Sequence, residues 1–95
     1  MSTTTDVTYN EKNGHFYVSV DGNEEAKMTF VFAGPDTIII DHTEVNEAFN
    51  GKGFGKFMFE KAVAFAREKS LKVIPLCPFT KKMFDRTPEA ADVLK

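Results

Sequence analysis

The stretch Val45–Lys56 reads VNEAFNGKGFGK, with Gly51, Gly53 and Gly55 at alternate positions between a β-branched run and a long amphipathic run. Glycines so placed remove the Cβ atoms that would hold an anion away, and they permit φ > 0. A helix starting behind them supplies unpaired N–H groups and the positive end of its dipole. A strand, glycine loop and helix in this order fit a ligand that carries phosphates. Lys52 and Lys56 add cations on the loop and first helical turn, where a cation opposes the helix dipole unless an anion sits there. The competing reading is a tight strand-to-helix turn that binds nothing.

Spacing excludes two phosphate sites. A Walker A loop needs Ser or Thr after Gly-Lys to reach the metal, whereas Phe57 follows Gly55-Lys56 and Asn50 stands where the leading glycine belongs. A dinucleotide fingerprint needs a third glycine for helix packing, and Lys56 or Met58 occupies that position in the two possible frames.

Upstream of the loop the chain reads as strands and turns. Val7–Asn10 is a short extended run, Lys12-Asn13-Gly14 a turn and His15–Val20 a strand. Asp21-Gly22-Asn23 turns again, Ala26–Ala33 is strand-like, Gly34-Pro35-Asp36 turns, and Thr37–Val45 contains Ile38-Ile39-Ile40. The expectation is a four-strand antiparallel meander. From Gly53 to Lys69 the apolar residues Phe54, Phe57, Met58, Ala62, Phe65 and Ala66 recur at helical spacing. Leu71–Leu76 then reads as a buried strand parallel to Thr37–Val45, which makes a right-handed β-α-β crossover with the glycine loop at its opening. Pro75 makes that strand irregular or puts it at an edge near its end. A short helix over Thr80–Arg86 and a last helical piece begun by Thr87-Pro88 complete the chain.

Ninety-five residues bury one modest core, so the expectation is a flexible polar tail over residues 1–6 and a single domain over 7–95. Ten Phe and two Tyr, with no Trp and one cysteine, make that core aromatic-heavy. The single cysteine and the lack of a leader or long apolar run suggest a cytoplasmic protein with no membrane partner. A net charge of −2 with mixed signs excludes bulk-charge binding to nucleic acid. His15, His42 and Cys77 lack metal-site spacing, so no metal is expected.

Asn50-x-x-Gly53-x-Gly55 after the strand residue Val45 resembles the acetyl-CoA pyrophosphate loop of the GNAT N-acetyltransferase superfamily, usually Arg/Gln-x-x-Gly-x-Gly/Ala, with Asn50 replacing the Arg or Gln. His42-Thr43-Glu44-Val45, the glycine loop, Pro75-Leu76-Cys77-Pro78-Phe79 and Pro88-Glu89 together look like the small single-domain GNAT-like group of predicted acetyltransferases. The resemblance implies an α+β (α/β) minimal GNAT-like fold: antiparallel four-strand meander, helix, parallel strand and short C-terminal helices, without the N-terminal helices of larger members. It implies acetyl-CoA as donor and a primary amine, small molecule or protein, as acceptor, in a monomer or weak dimer. The implied cofactor contacts are the Val45 backbone, Asn50, Gly51, Lys52, Gly53, Phe54, Gly55 and Lys56, with Cys77 and Phe79 across the opening. Lys81, Lys82 and Arg86 either approach the 3′-phosphate of CoA or form a solvated helix face. Larger members carry a tyrosine that protonates the departing CoA thiolate, and the corresponding spacing from Cys77 reaches Phe84, which has no proton to give.

Acetyl transfer to an amine needs a neutral nucleophile, a polarised thioester carbonyl and an outlet for the thiolate. His42 and Glu44 share one strand face and are the candidate bases, or else they form that strand's solvated side. Cys77 is a candidate acetyl acceptor or proton donor, or else a small buried hydrophobe. Three function classes follow: an acetyl-CoA-dependent N-acetyltransferase, a CoA or acyl-CoA-binding module with little turnover, and an interaction domain that pairs through an exposed aromatic sheet face.

Overall fold

The computed structural model describes residues 2–95. Five strands form one sheet in the order β1-β2-β3-β4-β5: β1 (Thr3–Tyr9), β2 (Asn13–Val20), β3 (Asn23–Phe32), β4 (Thr37–Val45) and β5 (Lys72–Pro75). The first four are antiparallel, and β5 runs parallel to β4 from Thr37↔Lys72 to Ile40↔Pro75. The helices are α1 (Phe54–Lys69) and α2 (Pro78–Arg86), with 3₁₀ turns at Glu47–Phe49 and Pro88–Val93. The meander, the crossover and the edge position of the last strand are as the sequence predicts, though β5 spans Lys72–Pro75 rather than Leu71–Leu76. The turn at Glu47–Phe49 was not expected; Asn46 caps it by accepting from the Ala48 N–H.

One expectation is corrected. Thr3–Asp6, read as part of a flexible tail, belong to β1 and pair with β2 from Thr3↔Val20 to Asp6↔Tyr17. Consecutive β-branched threonines favour an extended edge strand whose outer side faces water, so polarity here does not mean disorder. Met1 lies outside the described residues.

The core fills the face of the sheet that α1 covers. Phe16, Val18 and Val20 on β2, Ala26, Met28 and Phe30 on β3, and Ile38 and Ile40 on β4 point inward against Phe54, Met58, Ala62, Phe65 and Ala66 of α1. Phe16 and Phe30 stack at 4.9 Å, and Phe65 meets both rings. Truncating Phe30 to Ala would cost about 3–5 kcal/mol. The aromatic face is therefore packed inside, which removes the basis for an interaction domain using that face. Gly14 makes one of these contacts possible: a Cβ there would meet Thr8 O, Tyr9 Cβ and the Phe30 ring within 2.8 Å.

A β-bulge decides what β4 presents. Phe30 pairs with Ile40 but Thr29 pairs with His42, leaving Asp41 as an extra residue held by the Thr29 hydroxyl at 2.6 Å. Strict alternation from the buried Ile38 and Ile40 would turn His42 and Glu44 into the core. The extra residue reverses the phase: Thr43 and Val45 pair with the inward Met28 and Ala26, and His42 and Glu44 face outward beside Thr29 and Lys27.

Candidate functional site

The β4–β5 ladder ends at Ile40↔Pro75. Leu76 and Cys77 both donate their N–H groups to Ile40 O at 3.0 Å, while β4 runs on through Asp41–Val45 without a β5 partner. The two parallel strands thus splay apart. The Asn46 N–H donates to Glu25 O on β3, so the alternation of backbone groups along an extended strand turns the Val45 N–H the other way, into the gap.

The glycine loop closes one end of this gap. Gly53 is the N-cap of α1 in the left-handed conformation, φ 83°, and Gly51 has φ 81°. The turn is held by Asn50 N–H to Glu47 O and Lys52 N–H to Phe49 O, and the first helical bond runs from Phe57 to Gly53 O. Among the described residues, nothing accepts from the N–H groups of Gly51, Gly53, Phe54, Gly55 or Lys56, and no side chain caps α1. Gly55 has a different duty. A Cβ on it would lie 2.5 Å from the Phe79 ring, so its bareness lets Phe79 of α2 lie against the first turn of α1.

These residues surround a cavity of about 520 Å³ lined by Thr43, Glu44, Val45, Phe49, Asn50, Gly51, Gly53, Phe54, Gly55, Lys56, Phe79 and Met83. Most of the sequence-predicted cofactor contacts meet there. Lys52 is exposed and does not line the cavity, and Cys77 stands one residue behind the wall, 5% exposed. Thr43, Phe49 and Met83 line it although sequence reasoning passed them over. For Thr43 the signal was hidden, since only the bulge turns it inward.

The Cys77 thiol donates to the Thr43 hydroxyl at 3.3 Å. Burial pushes this thiol up, but the Thr43 hydroxyl, the Thr80 and Phe79 N–H groups and the Thr80 hydroxyl, each able to donate to a thiolate, outweigh it and leave the thiol more acidic than an ordinary cysteine. On the outer face, Glu44 sits 3.5 Å from His42 Nε2 and 3.6 Å from Lys27 Nζ, all three exposed. Glu44 and Val45 also line a second cavity of about 380 Å³ with Glu24, Glu25, Ala26, Lys27 and Asn46. His42 lines neither. His15 is bound to Glu24 at 2.9 Å on the early hairpin. Tyr9 packs on Phe32 and Phe65, and Tyr17 lies by His15. Phe84 is buried edge-on against Phe59 at 4.9 Å. Among the described residues there is no cluster suited to a metal ion and no helix long and apolar enough to cross a membrane.

A splayed pair of parallel strands with a glycine loop and helix start at its mouth is the arrangement of a GNAT-like fold. The family profile of GCN5-related N-acetyl-transferases matches residues 15–93, and the chain belongs to that family. As a member, it is an acetyltransferase. Its similarity to Protein NATD1 of Xenopus tropicalis is 30% identity over 83 residues, 86% of this chain and 76% of that one. With Protein NATD1 of Danio rerio it is 28% over 89 residues, 93% and 81%. The NMR solution structure of a GCN5-like protein from Staphylococcus aureus superposes with a TM-score of 0.71 at 33% identity, covering 95% of this chain and 87% of that one. The crystal structure of a ribosomal-protein-alanine N-acetyltransferase from Brucella melitensis shares the fold, with a TM-score of 0.69 at 22% identity over 81% of this chain and 62% of that one.

Proposed function

We propose that this chain is a cytoplasmic N-acetyltransferase that takes the acetyl group from acetyl-CoA and transfers it to a primary amine, which attacks the bound thioester directly. The observation that carries the reading is the set of unpaired N–H groups of Gly51, Gly53, Phe54, Gly55 and Lys56 at the wall of the 520 Å³ cavity. Those donors and the α1 dipole suit the CoA diphosphate, and Lys56 adds a charge beside it. The apolar walls made by Phe49, Phe54, Phe79 and Met83 suit the pantetheine arm. The Val45 N–H in the strand gap is directed at the thioester carbonyl, where it withdraws electron density as negative charge builds on oxygen.

Glu44 borders both the donor cavity and the 380 Å³ cavity on the outer face, which makes it the residue suited to take the amine proton, directly or through water. His42, at 3.5 Å, orients Glu44 from the side away from the donor. Cys77 reaches the donor cavity only through Thr43, which favours proton donation over service as an acetyl acceptor. A second reading, a CoA-binding module with little turnover, is favoured by Phe84, which stands where larger members place a proton-donating tyrosine and is packed on Phe59.

The deciding experiment is a titration of labelled protein with acetyl-CoA, following amide signals while free CoA is assayed. Saturable shifts over Asn50–Lys56 and at Val45, with CoA released in the presence of butylamine, support the transferase. The same shifts without release support the binding module, and no shifts at millimolar acetyl-CoA reject both. Glu44→Gln is expected to lower kcat about a hundredfold with the affinity for acetyl-CoA unchanged; a full rate across neutral pH removes Glu44 as the base.

A further inference from the structure

Thr80 is fully buried, and its hydroxyl is the one buried side-chain polar atom without a hydrogen-bond partner among the described residues. It lies on the first turn of α2, three residues after Cys77, the buried N-cap residue of this helix, and it favours the thiolate form of that cysteine. As a thiol, Cys77 gives its proton to Thr43 Oγ1 and is only a weak acceptor for Thr80. As a thiolate it accepts from both hydroxyls and from the Phe79 and Thr80 N–H groups that the start of α2 leaves free. The surroundings are therefore one hydrogen bond short around the thiol and complete around the thiolate.

Thr43 supplies the direction. It lines the donor cavity and Cys77 does not, so a proton leaving the sulfur passes through the Thr43 hydroxyl. We propose that Thr43, Cys77 and Thr80 form a proton relay to the sulfur that departs during acetyl transfer: Cys77 holds the proton, Thr43 delivers it into the cavity, and Thr80 positions and stabilises the thiolate left behind.

This rests on the acetyl-transfer reading above. As the bond between the acetyl carbon and the CoA sulfur breaks, the Thr43 O–H proton moves to that sulfur and forms the S–H of free CoA. The Cys77 S–H proton replaces it on Thr43, so the negative charge ends on Cys77. The proton that Glu44 takes from the amine is released to water and restores the thiol. No oxidant, reductant or further reactant is needed. The relay supplies what Phe84 cannot.

Cys77 is the single cysteine, so the ultraviolet absorbance of the thiolate reports it alone, with Cys77→Ala as blank. The intact ligand-free chain would be titrated beside Thr80→Val, Thr80→Ser and Thr43→Val. The midpoint is expected to move to higher pH in Thr80→Val and Thr43→Val and to return to the wild-type value in Thr80→Ser. An unmoved midpoint in folded Thr80→Val overturns the relay. Should that variant not fold, an unmoved midpoint in Thr43→Val, on the sheet, overturns it equally. In turnover, Thr43→Val and Cys77→Ala should each slow CoA release about tenfold or more at unchanged acetyl-CoA affinity, with the double variant no slower than either. Additive losses also count against it. A wild-type chain that fails to bind acetyl-CoA by calorimetry sinks the function and the relay together, whereas binding with unmoved midpoints sinks the relay alone.

Discussion

Helices α1 and α2 both begin at the donor cavity, yet their first turns are built in opposite ways. The start of α1 is open: no side chain caps it, two glycines at positive φ precede it, and its free N–H groups border a space of about 520 Å³. The start of α2 likewise has no side-chain cap bond, but its N-cap residue Cys77 is buried, and its sulfur lies where the Phe79 and Thr80 N–H groups favour a thiolate. The same unsatisfied donors suit a ligand in one case and tune an internal thiol in the other. What separates them is whether side chains fill the space ahead of the helix.

The largest expected effect is at α1. Gly53→Val forces a β-branched residue to φ 83°, a conformation that costs about 1–3 kcal/mol and that the helix start would escape by moving its N–H groups. Acetyl-CoA affinity should fall about tenfold or more by calorimetry, while circular dichroism stays native. Unchanged affinity would show that the open N-terminus is not the phosphate site.

Cys77→Ala tests the other helix start. It removes a buried sulfur, at a cost of about 1–2 kcal/mol in urea unfolding, and it should leave acetyl-CoA affinity alone while slowing turnover. A variant that loses affinity as well would mean the two helix starts are not separable.

Gly55 and Phe79 join the two turns. Gly55→Ala pushes the Phe79 ring aside for about 1 kcal/mol, and Phe79→Ala should relieve most of that in a double-mutant cycle. Additive losses would assign Gly55 to the ligand instead.

The smallest effect lies away from both turns. Arg67 grips Asp92 through two bonds at 2.8 and 2.9 Å, and these hold the Asp92 carboxyl below the usual carboxylate range against an opposing desolvation. The unfolded chain binds this proton more tightly. The contribution is therefore present above the ordinary carboxylate value and is lost as pH falls through the depressed one. Asp92→Asn should flatten the acid side of the stability profile slightly, because the pair is exposed, and leave acetyl-CoA binding untouched.

Much of the architecture was legible because local physics decided it. Alternating apolar residues with Gly- and Asn-rich turns specify the meander, the spacing from Phe54 to Ala66 specifies α1, and Pro75 puts β5 at an edge. The glycine loop was legible for the same reason, since positive φ at Gly51 and Gly53 is written in residue type. The edge strand over Thr3–Asp6 was misread because its threonines are polar, and their β-branching counts only once β2 lies alongside.

The sequence by itself determined an uncapped helix start behind a glycine turn and a strand that leads into it. Tertiary structure alone decided which β4 residues serve it. Alternation from Ile38 and Ile40 turns His42 and Glu44 into the core, and the extra residue Asp41, held by Thr29 of the neighbouring strand, puts them outside and Thr43 inside against Cys77. Residue order fixes a period, but only the pairing of two strands fixes where that period slips.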